Sequence, residues 1–256
     1  MTDMTLQTPL PETAPAACRY WGPWASIGWG LLAVLAWMLT QFIVAGIALF
    51  YFGTATPAAV KSIGEHALFV TLVAIVSAPT PIAVLAFAVR RARCGFAEYL
   101  ALVRPRGLDV AIGLLCIVVI LPLGDVASHL TGRDVVPPFV IEAYKHARDS
   151  GALIPLAIAM VIAAPAMEEF LFRGFLLPGL ATARFGMPGA IALTSLAWAS
   201  MHIQYEMFFI VQIFLFGLVL GWLRWRSGST TLTLGLHALV NLSALTQTAI
   251  IVEWLS

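Results

Sequence analysis

Along this chain the apolar positions gather into runs of about 20 residues, separated by short polar stretches, and that is the length at which a helix crosses the hydrocarbon core of a bilayer. The runs predict helices over residues 25–52, 66–89, 108–130, 152–177, 207–225 and 230–255, with a shorter segment over 189–202. A chain built this way satisfies its backbone inside lipid as helices. The expected fold is therefore an all-α, polytopic transmembrane bundle of about seven helices, with six to eight as the range. Ser77-Ala-Pro79-Thr-Pro81 falls in the middle of the second run. There the prolines remove N–H donors and should kink the helix.

The polar stretches orient the bundle. Arg90, Arg91 and Arg93, followed by Arg104 and Arg106, form the densest basic loop, and Arg184, Arg224 and Arg226 recur at the same end. By the excess of Lys and Arg on the inner side, the amino terminus is expected in the cytoplasm and the carboxyl terminus outside, in an integral protein of the plasma (inner) membrane. Trp21, Trp24 and Trp29 read as interface anchors at the first helix. Residues 131–150, with Pro137-Pro138, read as a polar outer loop. Residues 1–20 read as a disordered tail without the basic start of a signal peptide, which leaves 21–256 as one transmembrane domain. No repeat period suggests an inverted-repeat transporter.

Composition agrees. Of 256 residues 61% are hydrophobic and 11% charged, with mean hydropathy +0.93, whereas soluble domains carry about 25% charged residues. A net charge of +1 implies no nucleic-acid partner. Cys18, Cys94 and Cys116 are odd in number and scattered, and read as apolar fillers rather than a disulfide framework.

Against that background one stretch stands out: Pro165-Ala-Met-Glu168-Glu169-Phe-Leu-Phe-Arg173-Gly174. Each charge near a bilayer centre costs roughly 2.5–3.5 kcal/mol on insertion scales. On a helix Glu169 and Arg173 share a face and can pair, while Glu168 points about 100° away towards something else. Other strongly polar groups in apolar helix are His202, one turn after Trp198, and His237 with Asn241, again one turn apart. Asp125 and His129, four apart near the outer end of their helix, could form a proton relay or second polar site, but read foremost as a pair that water solvates. Polar groups from three helices should converge on the bundle interior, because facing lipid would strand them.

No GxSxG, intramembrane Cys–His or HExxH pattern accompanies these residues, and no second intramembrane aspartate makes a dyad with Asp125. Activation of water remains. A desolvated glutamate becomes a usable general base, a histidine can orient the water, and a second histidine with an asparagine can donate to an oxyanion. One depth mismatch accompanies this reading. His202 lies towards the outer end of its helix, but His237 is only about 10 Å from the inner end of its own, so one helix must be displaced, tilted or begin deep in the membrane.

Glu168-Glu169-x-x-x-Arg173, then aromatic-x-x-x-His202, then His237-x-x-x-Asn241 resemble the three motifs of the CAAX protease and bacteriocin-processing (Abi) family, which includes the Ras-converting CAAX endoprotease. The likeness covers residues 152–245, with Trp198 where the family usually has Phe. It implies an intramembrane endopeptidase acting at the bilayer on a membrane-anchored peptide, of which a lipidated, CAAX-like tail is one form. Glu168 and His202 would activate water, His237 and Asn241 would form the oxyanion hole, and Glu169, Arg173 and Trp198 would support them. Members have been called metalloproteases, and Glu168, His202 and His237 could ligate Zn²⁺. A metal-free mechanism is favoured, because Asn241 is a poor zinc ligand and a good oxyanion donor. The rival readings are a non-catalytic membrane protein, such as a bacteriocin-immunity factor or scaffold, and a small transporter using Glu168 as a proton carrier.

Overall fold

The computed structural model describes residues 18–51 and 67–255. Residues 1–17 of the expected tail, the loop holding Lys61 and Glu65, and His66 lie outside the described residues. Helices are the regular secondary structure of the described residues, and six helical stretches among them are long and apolar enough to cross a membrane.

The first helix, α1 (Pro23–Tyr51), starts on a proline, which fits the first turn because its missing N–H has no helical partner there. The expected kink at the prolines is a division into two helices, α2 (Ala67–Ser77) and α3 (Pro79–Arg91), joined through Ala78. Ser77 Oγ closes the break by donating to the Ala74 carbonyl and accepting from Trp37 Nε1 at 3.1 Å. A one-turn helix, α4 (Phe96–Tyr99), precedes α5 (Gly107–Leu130). The polar stretch expected as a loop contains α6 (Pro138–Asp149), whose buried Val140, Tyr144 and Ala147 recur at helical spacing. Its low overall hydrophobicity masked that period.

The central element is α7, helical over Leu153–Leu180, with wider π turns at Ala159–Ala163 and Phe170–Leu176. Leu171, Phe172 and Phe175 of this helix sit in the main core with Leu85, Val89, Tyr99, Leu100, Trp198, Phe216, Leu220 and Leu236. Next comes α8 (Gly186–Ser200), too short to span, followed by α9 (Met207–Ser227) and α10 (Thr230–Ile250), which a π turn extends over Ile251–Leu255. His202, expected inside a helix ending at 202, lies just beyond the end of α8.

The depth mismatch between His202 and His237 is resolved at the start of α10. Ser229 and Thr230 are fully buried. Ser229 Oγ donates to the Val103 carbonyl at 2.6 Å and accepts from Leu232 N, capping the helix. Thr230 N donates to the Ala101 carbonyl at 3.0 Å, and Thr230 Oγ1 donates to the Leu100 carbonyl. The α4 segment thus covers the α9–α10 turn, and α10 begins inside the protein. His237, two turns along, reaches the level of the glutamate pair.

The amino-terminal segment also departs from expectation. Cys18 and Cys94 form a disulfide, leaving Cys116 as the free cysteine, so two of the three are not fillers. Tyr20, placed in the disordered tail, packs edge-on against Tyr99 at 4.9 Å. Trp21 is a half-buried strut, with its backbone N–H on Tyr99 Oη and its indole N–H on the Ala88 carbonyl, both at 3.0 Å. Trp24 is 85% exposed, as an interface anchor would be.

Candidate active site

Glu168 and Glu169 end an α-helical stretch, Ala164–Glu169, that is bounded by the two π turns of α7. π turns re-aim side chains and often sit at functional sites. The doublet divides as its helical spacing implies. Glu169 is fully buried and Arg173 is 1% exposed; Arg173 Nη1 donates to Glu169 Oε1 at 2.9 Å. Two buried charges are tolerated only when paired and hydrogen-bonded. Here the guanidinium also donates through Nη2 to the Gly217 carbonyl at 3.3 Å and lies 4.4 Å from the Trp198 ring centroid.

Glu169 does more than pair with arginine. The same Oε1 sits 3.0 Å from His237 Nδ1. A carboxylate oxygen accepts, so Nδ1 is the protonated ring atom and Nε2 is turned away. That Nε2 lies 3.8 Å from Glu168 Oε2. Glu169 therefore orients the imidazole that faces Glu168, a link the sequence did not reveal because it joins two helices.

Glu168 has a partly accessible side chain, and its Oε2 accepts from Trp198 Nε1 at 2.5 Å. The tryptophan was expected only to pack. Its backbone carbonyl receives His202 Nδ1 at 3.0 Å, which fixes the proton on Nδ1 and leaves His202 Nε2 as an acceptor. His202 reaches Glu168 through Trp198 rather than by direct contact. Asn241 lies one turn beyond His237, and its Nδ2 donates to the Met160 carbonyl, in the first π turn, at 2.8 Å. One amide proton is thereby engaged and one remains.

Tyr205 was not anticipated. Its ring centroid is 5.7 Å from that of His202 and 5.7 Å from that of Phe139 on α6. Burial, reinforced by the Glu168 charge, pushes its hydroxyl up to about 12. The spacing His202-x-x-Tyr205 was the available signal. Asp125 does not pair with His129: it accepts from Gln247 Nε2 of α10 at 2.9 Å, while His129 is exposed. Among the described residues no three His, Cys, Asp or Glu side chains are gathered as ligands for one cation.

Residues 150–243 match the family model described as type II CAAX prenyl endopeptidase, Rce1-like. No curated protein and no solved structure matches the chain significantly.

Proposed function

We propose, from the premise that this membrane protein carries a domain of the Rce1-like type II CAAX prenyl endopeptidase family over residues 150–243, that its carboxylate–imidazole cluster hydrolyses a peptide bond of a membrane-anchored, CAAX-like substrate. The observation that carries the reading is the 3.8 Å approach of His237 Nε2 to a Glu168 oxygen, with His237 held from behind by Glu169.

In this reading Glu168 accepts a proton from water, and the hydroxide oxygen bonds to the scissile carbonyl carbon. His202 positions that water through Nε2, the ring atom not engaged by the Trp198 carbonyl. As the carbon–nitrogen bond breaks, Glu168 returns the proton to the leaving amine, so protons balance over the cycle. The oxyanion accepts from the second Nδ2 proton of Asn241 and from His237 Nε2–H. With Nδ1–H donating to Glu169, this role requires a proton on Nε2 as well. Losing one such donor typically costs about 3–4 kcal/mol in the transition state. The metal-free form is favoured because Asn241 is a poor zinc ligand and a good oxyanion donor.

The test is cleavage of a quenched-fluorescent farnesylated peptide with a Cys-aliphatic-aliphatic-X tail by purified full-length protein. The wild type should cut it and Glu168→Gln should not, with an unchanged melting profile. Full cleavage by Glu168→Gln overturns the assignment. Loss of wild-type activity on chelation, restored by Zn²⁺, replaces the metal-free mechanism with a metal one.

A further inference from the structure

Trp198 touches four members of the cluster: Glu168, Arg173, His237 and His202. Its indole N–H donates to Glu168 Oε2 at 2.5 Å. Its ring faces the Arg173 guanidinium at 4.4 Å and meets the rings of His237 and His202 edge-on at 5.1 and 5.5 Å. Its carbonyl fixes the His202 tautomer. The ring itself is 2% exposed and wedged by Phe216 and Gly217, where a Cβ would stand 3.1 Å from Trp198 Cε3. A side chain so confined holds one rotamer.

The consequence lies in the two oxygens of Glu168. Oε2 is occupied by the indole and turned towards His237, which leaves Oε1 without a hydrogen bond to protein among the described residues. A phenylalanine, usual at this place in the resembling family, supplies the same ring faces but no N–H. We propose that Trp198 is a positioning residue of this site: its indole N–H locks Glu168 so that Oε1 is the oxygen that takes the proton from water. The catalytic half of this inference rests on the endopeptidase reading; the hydrogen-bond half does not.

The two halves are separable by experiment. Full-length protein with ¹⁵N-labelled tryptophan gives up to eight indole N–H signals, one per tryptophan. Trp198→Phe should delete one of them and so assign it. Glu168→Gln, which keeps the acceptor but removes its charge, should move that same signal strongly upfield and leave the others in place. On the farnesylated peptide probe, Trp198→Phe should lower kcat roughly 10- to 100-fold, the range for losing a hydrogen bond to a charged group, with KM unchanged. A merely structural tryptophan would instead lower the melting temperature while keeping kcat per folded molecule. An indole signal unmoved by Glu168→Gln overturns the locking hydrogen bond. A moved signal with unchanged kcat in Trp198→Phe overturns the positioning role. If the wild type does not cut the probe, the endopeptidase reading and the positioning role fall together, and the indole shift still decides the hydrogen bond.

Discussion

Glu169 and His237 meet through Oε1 and Nδ1 at 3.0 Å, although 68 positions separate them in the chain. The contact gives the adjacent carboxylates different work. Glu169, fully buried, neutralises Arg173 and orients the imidazole, while Glu168, with no cationic arginine or lysine within 4 Å among the described residues, faces the space beyond it.

That division has a thermodynamic signature. Glu169→Gln leaves the Arg173 guanidinium buried without its counter-charge, and breaking a buried pair from one side costs about 3–5 kcal/mol. Glu168→Gln removes a charge that is partly accessible and bound to a neutral indole. Thermal unfolding in detergent should show a large fall in melting temperature for Glu169→Gln and Arg173→Ala, and little change for Glu168→Gln. Equal falls for the two glutamate variants would reject the division.

A second prediction concerns the backbone beneath Trp198. At Gly217 an added Cβ would lie 2.9 Å from Ser195 Cβ and 3.1 Å from Trp198 Cε3, in a region where the neighbours are themselves buried. Gly217 also presents the carbonyl that receives Arg173. Gly217→Ala should therefore destabilise by about 1–3 kcal/mol, the usual range for overpacking. Gly28→Ala, with nothing within 4 Å of the added carbon, serves as control. Matching melting temperatures for the two variants would show that α8 and α9 separate easily here.

Much of this was legible in the sequence, for identifiable reasons. Hydropathy alone located α1, α5, α7, α9 and α10, because a span of about 20 apolar residues has few alternatives in lipid. The i, i+4 rule located the Glu169–Arg173 pair and the separate face of Glu168. What stayed hidden depends on neighbours distant in sequence. The Glu169–His237 bond joins α7 to α10, and the Trp198 N–H reaches Glu168 on another helix. Burial of the α9–α10 turn under Leu100, Ala101 and Val103 set the depth of His237, and no local pattern encodes it. The Cys18–Cys94 link spans 76 positions and involves one residue assigned to a tail.

That disulfide lies at the basic end of the bundle, directly after Arg93. Cytoplasmic thiols are kept reduced, and the excess of arginine at this end carries the expectation that it faces the cytoplasm. In that orientation the pair should be open in the living cell and close in air. Cells trapped in acid and alkylated after denaturation should then show three reactive thiols, and air-oxidised purified protein one, Cys116. A single thiol in the trapped cells would instead put the basic end in an oxidising compartment and reverse the orientation.

The contact between the amino-terminal segment and α4 should also respond to alkali. Tyr99 receives the Trp21 backbone N–H on its hydroxyl at 3.0 Å, and burial pushes that hydroxyl up from its ordinary value near 10 to about 12. A raised value in the folded state means that folding favours the neutral phenol. The resulting stability is fully present below pH 10 and is lost as pH rises through 12. Tyr205 titrates in the same window, so the informative quantity is the difference between wild type and Tyr99→Phe. The variant should melt lower at pH 7 by about 1 kcal/mol of lost hydrogen bonding, yet lose less stability than wild type between pH 10 and 12. Melting curves that stay parallel across that interval would mean the phenol ionises as freely in the folded protein as in the unfolded chain, and the docked segment would then not be what buries it.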